Sequence, residues 1–153
     1  VTGGYDRIDF RGPGGRRLKD EWKDELPKTF LGVLNDGFPN LLMVLGPHTS
    51  RGNIPRHIEK IVDFNIALIR HMRDQGYSRV EARPGEAAKW LAQVIEVNEG
   101  RLAGKIPSWQ TGVNSNVPGR QSIRVLGYYG GAVRYREIAE RVAAGGYKEL
   151  MFH

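Results

Sequence analysis

The stretch covering residues 38–61 constrains the fold of this chain more than any other part of the sequence. It begins with an uninterrupted apolar run at 41–45, which predicts a strand covered on both faces. A Gly-Pro pair ends that strand, and Asn53 followed by Pro55 is the typical start of a helix. In α/β folds, a strand that leads through such a loop into a helix presents backbone N–H groups and a positive dipole end to an electron-rich ligand.

Cationic side chains surround the predicted helix start. Arg51, Arg56 and His57 lie where the helix dipole disfavours positive charge. An electron-rich ligand near the loop would relieve this conflict. In the alternative interpretation, these side chains simply extend into water. The loop is therefore a candidate ligand site on sequence grounds, with both explanations open.

The remaining elements follow from periodicity and from Gly and Pro positions. Residues 5–16 predict a hairpin whose Gly-rich turn is not a phosphate loop, because its glycines lack the required spacing and no apolar helix follows. Residues 17–22 are expected to form the returning strand or a short turn. Three amphipathic helices are predicted over 55–75, 86–101 and 132–144, and strands over 77–83, 121–129 and 147–152.

The apolar spacing also predicts which helix faces are buried. For the first helix, the predicted buried residues are Ile58, Ile61, Val62, Ile66, Ile69 and Met72. For the second helix, they are Ala88, Leu91, Ala92, Ile95 and Leu102, and for the third Tyr135, Ile138, Ala139 and Val142. Asn65 lies close to the first of these faces, as a hydrogen-bonded core amide or as a ligand contact.

Composition narrows the class of protein. The 153 residues suffice for one domain with a core, and the chain has no cysteine, so disulfides and thiolate metal sites are excluded. No apolar run is long enough to span a bilayer and no signal peptide is recognisable, so a cytoplasmic location is expected. The net charge of +6 favours phosphate-bearing partners, but acidic residues are interleaved with the basic ones, so nucleic-acid binding is not expected.

The sequence shows no self-sufficient catalytic apparatus. The four histidines have no metal-binding spacing, so no metal site is predicted, and nucleophile-elbow, P-loop and kinase motifs are missing. Trp109 stands in a loop rich in Gly, Asn, Ser and Pro. It is expected either to pack that loop onto the core or to lie against a planar ligand.

Several motifs together carry a resemblance to a known family. Residues 38–49, FPNLLMVLGPHT, and 52–59, GNIPRHIE, resemble the C-terminal part of the FAD-binding domain of class B flavoprotein monooxygenases, the Baeyer–Villiger monooxygenase group that includes cyclohexanone monooxygenase. The opening VTGGYDRIDFRGPGG, the KTFLGV at 28–33, and Trp109 with NVPGR and YYGGAVRYR are similar to further family segments in the same order.

The resemblance implies an enzyme that binds FAD and NADPH. The full enzyme would insert one oxygen atom of O₂, through a C4a-peroxyflavin, into a ketone or onto a heteroatom of a small-molecule substrate. Asn53, Ile54 and Pro55 would lie at the isoalloxazine, and Trp109 would contact NADP. The loop formed by His48, Thr49, Ser50, Arg51 and Gly52 would border the substrate and nicotinamide pocket.

The resemblance also defines what this chain lacks. Its fold class is expected to be α/β, or α+β when taken as an isolated piece, as the C-terminal portion of a Rossmann-like FAD-binding domain. One segment covers 1–153, with a hairpin region at 1–27, a core strand-loop-helix at 28–76 and a C-terminal extension at 77–153. The dinucleotide-binding parts and the active-site arginine are expected before Val1, so this piece alone is expected to be inactive. The alternative is a stand-alone basic module that binds a nucleotide or nucleic acid.

Overall fold

The computed structural model describes residues 5, 7–24, 26–102, 105–108, 111–113, 116 and 122–153. Within these ranges the helices are α1 (Leu18–Asp24), α2 (Ile54–Gln75), α3 (Glu86–Asn98) and α4 (Ala132–Ala144). The strands are β1 (Thr29–Phe30), β2 (Leu34–Asn35), β3 (Val80–Ala82) and β4 (Leu150–Phe152). A mixture of helices with small antiparallel sheets confirms the predicted fold class.

Helix α2 begins and ends where the sequence predicts. The Asn53 side chain accepts a hydrogen bond from the Arg56 amide at 3.1 Å, and Pro55 occupies the first turn, where a missing N–H costs nothing. Gly76 ends the helix in the left-handed conformation, with φ of 74°, and its amide donates to the Arg73 and Met72 carbonyls. The local sequence alone therefore sets the bounds of this helix.

Two small antiparallel sheets complete the fold. In the first, Thr29 pairs with Asn35 and Phe30 with Leu34 across a tight turn. In the second, β3 pairs with β4, so the predicted strand near the C-terminus is confirmed. The main core joins both sheets to α2, α3 and α4, and includes Phe30, Leu31, Ile61, Leu68, Trp90, Tyr128, Tyr135 and Leu150. A second small cluster is formed by Leu18, Trp22, Phe38 and Met43.

The predicted central strand at 41–45 is wrong. The segment is irregular, Val44 is 42% exposed, and Asn40 and Leu45 adopt positive φ angles of 61° and 56° that interrupt an extended chain. An all-apolar strand needs partners on both sides. The Met43 amide donates to the Val33 carbonyl at 2.8 Å and the Leu41 amide to the Phe38 carbonyl at 3.3 Å, and these two bonds do not form a ladder.

Two other strand predictions also fail. Residues 18–24 form helix α1, although Arg17 does pair with Arg11 across the predicted turn. In the described part of 121–129, the strand is replaced by one isolated parallel bridge between Ser50 and Tyr128, and Ile123 is 42% exposed. Short apolar alternation is a weak signal when no neighbouring strand supplies a ladder.

The helix faces are only partly as predicted. On α2 the buried residues are His57, Ile61, Phe64, Asn65 and Leu68, whereas Val62, Ile66 and Ile69 are exposed. On α3 the buried residues are Ala87, Trp90 and Val94 rather than Ala88, Ala92 and Ile95. On α4 the prediction is confirmed, with Tyr135 and Val142 buried and Ile138 and Ala139 packed against the core.

Candidate functional site

The loop at 48–52 is held by backbone hydrogen bonds to a distant segment. The His48 amide donates to the Leu126 carbonyl at 3.1 Å, and the Tyr128 amide donates to the Thr49 carbonyl at 2.9 Å. The parallel bridge between Ser50 and Tyr128 extends this pairing. The loop is therefore fixed before it enters α2, which orients the first turn of that helix.

His48 is a buried anchor of this loop. Its Nε2 lies 3.0 Å from the Val125 carbonyl, which can only accept, so Nε2 carries the proton and Nδ1 faces the Thr29 hydroxyl at 3.1 Å. Burial, and then the nearby charges of Arg51 and Arg124, lower the pKa of His48 to about 4. His48 is consequently neutral at physiological pH, and its two ring nitrogens are occupied by partners within the chain.

Thr49 and Ser50 are also buried, with 2% and 1% of their surface exposed. The Thr49 hydroxyl donates to the Gly46 carbonyl at 2.9 Å, and the Ser50 hydroxyl donates to the Arg51 carbonyl at 3.4 Å. Both side chains therefore stabilise the turn locally. Their contribution to a ligand site is to position the residues that follow.

The Arg51 side chain packs against Gly127 and hydrogen-bonds the segment that holds the loop, residues 125–128. Its Nη2 donates to the Leu126 carbonyl at 2.9 Å, and a Cβ on Gly127 would lie only 2.3 Å from its Nε. The Gly127 carbonyl accepts from Asn98 at 2.7 Å, and the Asn98 side-chain oxygen accepts from the Tyr129 amide. The Arg51 Nε is buried without a hydrogen-bond partner, and burial lowers the pKa of this guanidinium. The site thus holds one cationic group whose hydrogen-bonding capacity is not exhausted.

The N-terminus of α2 is the accessible part of the site. Gly52, Asn53, Ile54 and Pro55 are all exposed, and Gly52 has a φ of 144° that favours glycine. Asn53 caps the helix through the Arg56 amide, so the first turn is rigid. Because Pro55 has no N–H and the Arg56 amide is bonded to Asn53, the helix start presents the amides of Asn53 and Ile54 and its positive dipole end, which suit an electron-rich group.

His57 and Tyr135 border a cavity next to this helix start. The two rings meet edge to face, with centroids 4.9 Å apart, and the Tyr135 hydroxyl donates to the Leu31 carbonyl at 2.5 Å. His57 is 7% exposed, its Nε2 has no hydrogen-bond partner, and burial together with Arg51 lowers its pKa. The adjoining cavity of about 440 Å³ lies between α2 and α4.

The structure brings most of the predicted site residues together. Residues 48–55 form one continuous loop and helix start, but Trp109 lies outside the described residues and its role stays a prediction. Asn65 is buried and donates to the Met43 carbonyl at 3.4 Å, as expected of a core amide.

Sequence reasoning missed the residues that hold the loop from a distance. These are Thr29, Asn98, Leu126 and Gly127. Thr29 is 19 positions from His48 and Leu126 is 75 positions from Arg51, and no local pattern encodes contacts over such separations. The Gly127 in the GYYGG run was the one usable signal, since a glycine there permits close approach of another group.

Among the described residues, no group of three or more His, Asp or Glu side chains is placed to hold a metal ion. No helix in the described ranges is long and apolar enough to cross a membrane.

Sequence comparison finds relatives along the whole chain. The phenazine N-monooxygenase of Lysobacter antibioticus is 37% identical over 153 residues, which are 100% of this chain and 28% of that protein. The acetone monooxygenase (methyl acetate-forming) of Gordonia sp. strain TY-5 is 35% identical over 150 residues, covering 96% of this chain and 27% of that protein. No protein-family model matches the chain.

Solved structures give the same result. Cyclohexanone monooxygenase from Rhodococcus sp. Phi1 bound to NADP⁺ superposes with a TM-score of 0.91 and 32% identity, over 99% of this chain and 28% of that one. A closed cyclohexanone monooxygenase structure gives a TM-score of 0.92 and 36% identity, again over 28% of its own length.

The fold is therefore that of an α/β fragment of a flavoprotein. More specifically, the chain is homologous to the Baeyer–Villiger and cyclohexanone monooxygenases over its whole length. It spans a little over a quarter of the length of the curated relatives it matches.

Proposed function

We propose that this chain is the cofactor-facing C-terminal part of an FAD- and NADPH-dependent monooxygenase. The observation that carries the proposal is the match to NADP-bound cyclohexanone monooxygenase, with a TM-score of 0.91 over nearly the entire chain. Relatives named for an aromatic nitrogen substrate and for acetone support a small ketone or a heteroatom as the group that is oxygenated, with O₂ as co-substrate.

The residues at the start of α2 fit an FAD molecule. The exposed amides and dipole end at Asn53 and Ile54 suit an electron-rich ring edge, and the buried Arg51 Nε is a polar atom without a partner beside it. When bound, FAD supplies the redox chemistry with NADPH and O₂. In this proposal the chain's own contribution is to bind and orient that group.

Each residue of the site then has a physical task. Asn53 keeps the first helical turn rigid, and Ile54 with Pro55 gives an apolar surface against the ring. Arg51 carries positive charge close to the helix start, where negative charge on a reduced ring would be stabilised. Buried His48, Thr49 and Ser50 hold the loop in register, so they are better described as positioning residues bordering the substrate pocket than as groups that touch substrate.

The remaining parts of the enzyme are proposed to lie outside this chain. These are the dinucleotide-binding units and the active-site arginine, and without them the chain alone is expected to be inactive. Trp109 is proposed to contact NADP. We also propose that the whole enzyme is cytoplasmic and that the chain does not bind nucleic acid.

A chimera tests the proposal. The Rhodococcus cyclohexanone monooxygenase would be made with this chain in place of the stretch that it matches. We expect the purified chimera to retain FAD, seen by its visible absorbance, and to oxidise NADPH in a ketone-dependent manner. A folded chimera that retains no FAD would contradict the proposal.

A paired substitution locates the cofactor contact. In the chimera, Ile54→Asp places a carboxylate against the electron-rich edge of the ring, and we expect FAD affinity to fall at least about tenfold. Ala88→Asp adds the same charge at an exposed position of α3 and should leave FAD affinity unchanged. Equal FAD affinity in the two variants would remove Ile54 from the site.

A further inference from the structure

Arg51 is a half-buried cation that uses little of its hydrogen-bonding capacity within this chain. A guanidinium carries five N–H donors. Among the described residues, the partner of these donors is the Leu126 carbonyl, 2.9 Å from Nη2, and Nε is buried without a partner. In the part of the chain that the structure describes, no Asp or Glu side chain is paired with Arg51. The guanidinium is therefore held in place but not neutralised.

The groups around Arg51 do not compensate its charge. Burial, and after it the charge of Arg51, lowers the pKa of both His48 and His57, and Arg124 adds to the effect on His48. Burial also lowers the pKa of Arg51 itself, while Tyr129 favours its charged form. Charged groups that are withdrawn from water in proteins are as a rule paired. A carboxylate or a phosphate from outside the described residues would supply the missing partner.

A cavity rich in positive charge adjoins Arg51 and measures about 280 Å³. Leu126, whose carbonyl binds Arg51, forms part of its lining. Asn98 and Tyr129, which are hydrogen-bonded to each other beside Gly127, line it as well. The charged residues of the lining are three cations and one anion, namely Arg101, Lys105, Arg124 and Glu99. Such a cavity attracts an anionic group, and its volume is just below that of complete small-molecule sites, so it suits one end of a ligand.

We propose that the full monooxygenase acts on substrates that carry a carboxylate besides the ketone or heteroatom, and that Arg51 binds this carboxylate. The inference rests on the proposed function, in which the loop at 48–52 borders the substrate pocket. The bond to Leu126 and the packing against Gly127 fix the guanidinium, so little side-chain entropy is lost when it binds. Its remaining N–H groups form charge-assisted hydrogen bonds to the carboxylate, and the cationic cavity attracts the acid end of the substrate.

Two ketones of nearly the same shape test the proposal in the Rhodococcus chimera. One is cyclohexanone with a carboxylate on the ring carbon opposite the ketone, and the other carries a neutral carboxamide there. The acid preference is kcat/KM for the carboxylate divided by kcat/KM for the carboxamide, both measured from ketone-dependent oxidation of NADPH. We expect Arg51→Met to lower the acid preference at least about tenfold, because the charge-assisted bonds are lost. Arg70→Met removes a positive charge from an exposed position of α2 and should leave the acid preference unchanged.

The outcomes separate the inference from the proposed function. An acid preference that Arg51→Met leaves unchanged, or that both variants lower equally, overturns the carboxylate site. If kcat/KM falls equally for both ketones, Arg51 acts on the flavin, and if the KM for NADPH alone rises, Arg51 acts on the NADPH phosphates; each of these results also overturns the inference. The proposed function stands in all of these cases, because the chimera still holds FAD and oxidises NADPH.

A calorimetric titration decides the inference without turnover and without a variant that has to fold. Cyclohexanecarboxylate and cyclohexanecarboxamide, which lack the ketone, are titrated into the unsubstituted chimera. We expect the carboxylate to bind at least about tenfold more tightly than the carboxamide. A chimera that holds no FAD contradicts the proposed function, while its affinities for these two ligands still test the carboxylate site. Equal affinities for the two ligands overturn the inference.

Discussion

At the scale of single residues, His48 shows how burial converts an ionisable group into a structural one. The ring is fully buried, both nitrogens face partners in the chain, and the cost of desolvating the charged form lowers its pKa to about 4. In the unfolded chain the pKa returns to about 6.5. Between these two values the unfolded chain binds more protons than the folded chain, so acid favours unfolding.

We therefore expect stability to fall as the pH is lowered from 6.5 towards 4. The contribution of His48 is fully present above pH 6.5 and amounts to about 3 kcal/mol, from the difference of the two pKa values. Urea unfolding at pH 7, 6, 5 and 4 measures this. His48→Gln should flatten the profile, and His57→Gln should flatten it further, because burial lowers the pKa of His57 too. An unchanged slope in His48→Gln would contradict the assignment.

Gly32 has both a left-handed backbone conformation and no room for a Cβ atom. It lies in the β1–β2 turn with φ of 67°, and an added Cβ would lie 2.5 Å from Thr49 Cγ2 and 2.6 Å from the Pro47 carbonyl. The hairpin thus contacts the site loop backbone to backbone. Only glycine satisfies both conditions.

Gly32→Ala is expected to lower the free energy of unfolding by about 3 kcal/mol, from left-handed strain together with overpacking. Gly14→Ala is the matched control, because Gly14 has φ of 70° but open space around its Cβ position. The control should cost about 1 kcal/mol. Denaturant unfolding of the two variants separates the cost of backbone strain from the cost of overpacking. Equal losses of unfolding free energy would show that the contact with the loop is unimportant.

At the scale of elements, α2 links local sequence to the site. Asn53 and Gly76 define its ends through side-chain and backbone hydrogen bonds that involve only neighbouring residues. The same cap fixes the direction in which the first turn presents its amides. Helix stability and site geometry therefore depend on one asparagine.

Asn53→Ala is expected to cost about 1 kcal/mol of stability, because the Arg56 amide loses its acceptor. Asn53→Asp retains an acceptor at the same position and should be within a few tenths of a kcal/mol of the unsubstituted chain. Thermal and urea unfolding measure both variants. If Asn53→Asp is destabilised as much as Asn53→Ala, the cap is not the reason for the loss.

At the scale of the whole molecule, α2 carries more apolar surface than this chain can bury. Val62, Ile66 and Ile69 are 40%, 43% and 48% exposed, and they lie on the side that periodicity predicts to be covered. Apolar side chains grouped on one helix face favour association when left in water. The 153-residue chain is therefore expected to self-associate.

Val62, Ile66 and Ile69 form an exposed apolar strip on α2, and lysine residues in this strip should weaken the self-association. We expect the double variant Ile66→Lys with Ile69→Lys to shift the chain towards monomer by at least tenfold in dissociation constant, measured by sedimentation velocity over a concentration series. The control pair, Ile8→Lys with Ile123→Lys, makes the same chemical change at exposed positions on other segments. An equal shift in the control would assign the effect to net charge rather than to the strip.

The sequence by itself determined the features that depend on neighbours along the chain. Helix α4 has the predicted bounds, α2 has the predicted caps, and Asn53 and Pro55 were recognised from their own residues as the start of α2. Caps, breakers and the 3.6-residue period act over a few residues, so they can be read locally. Motifs shared with relatives then identified the family.

Only the tertiary structure decided which apolar residues are covered and what each site residue contacts. The run at 41–45 reads as a strand, yet the structure gives it no ladder, and half of the predicted buried face of α2 remains exposed. His48 reads as a pocket residue, yet Thr29 and Val125 surround it across gaps of 19 and 77 residues. Burial and hydrogen bonding between distant segments depend on which elements meet in space, and periodicity within one segment carries no information about that.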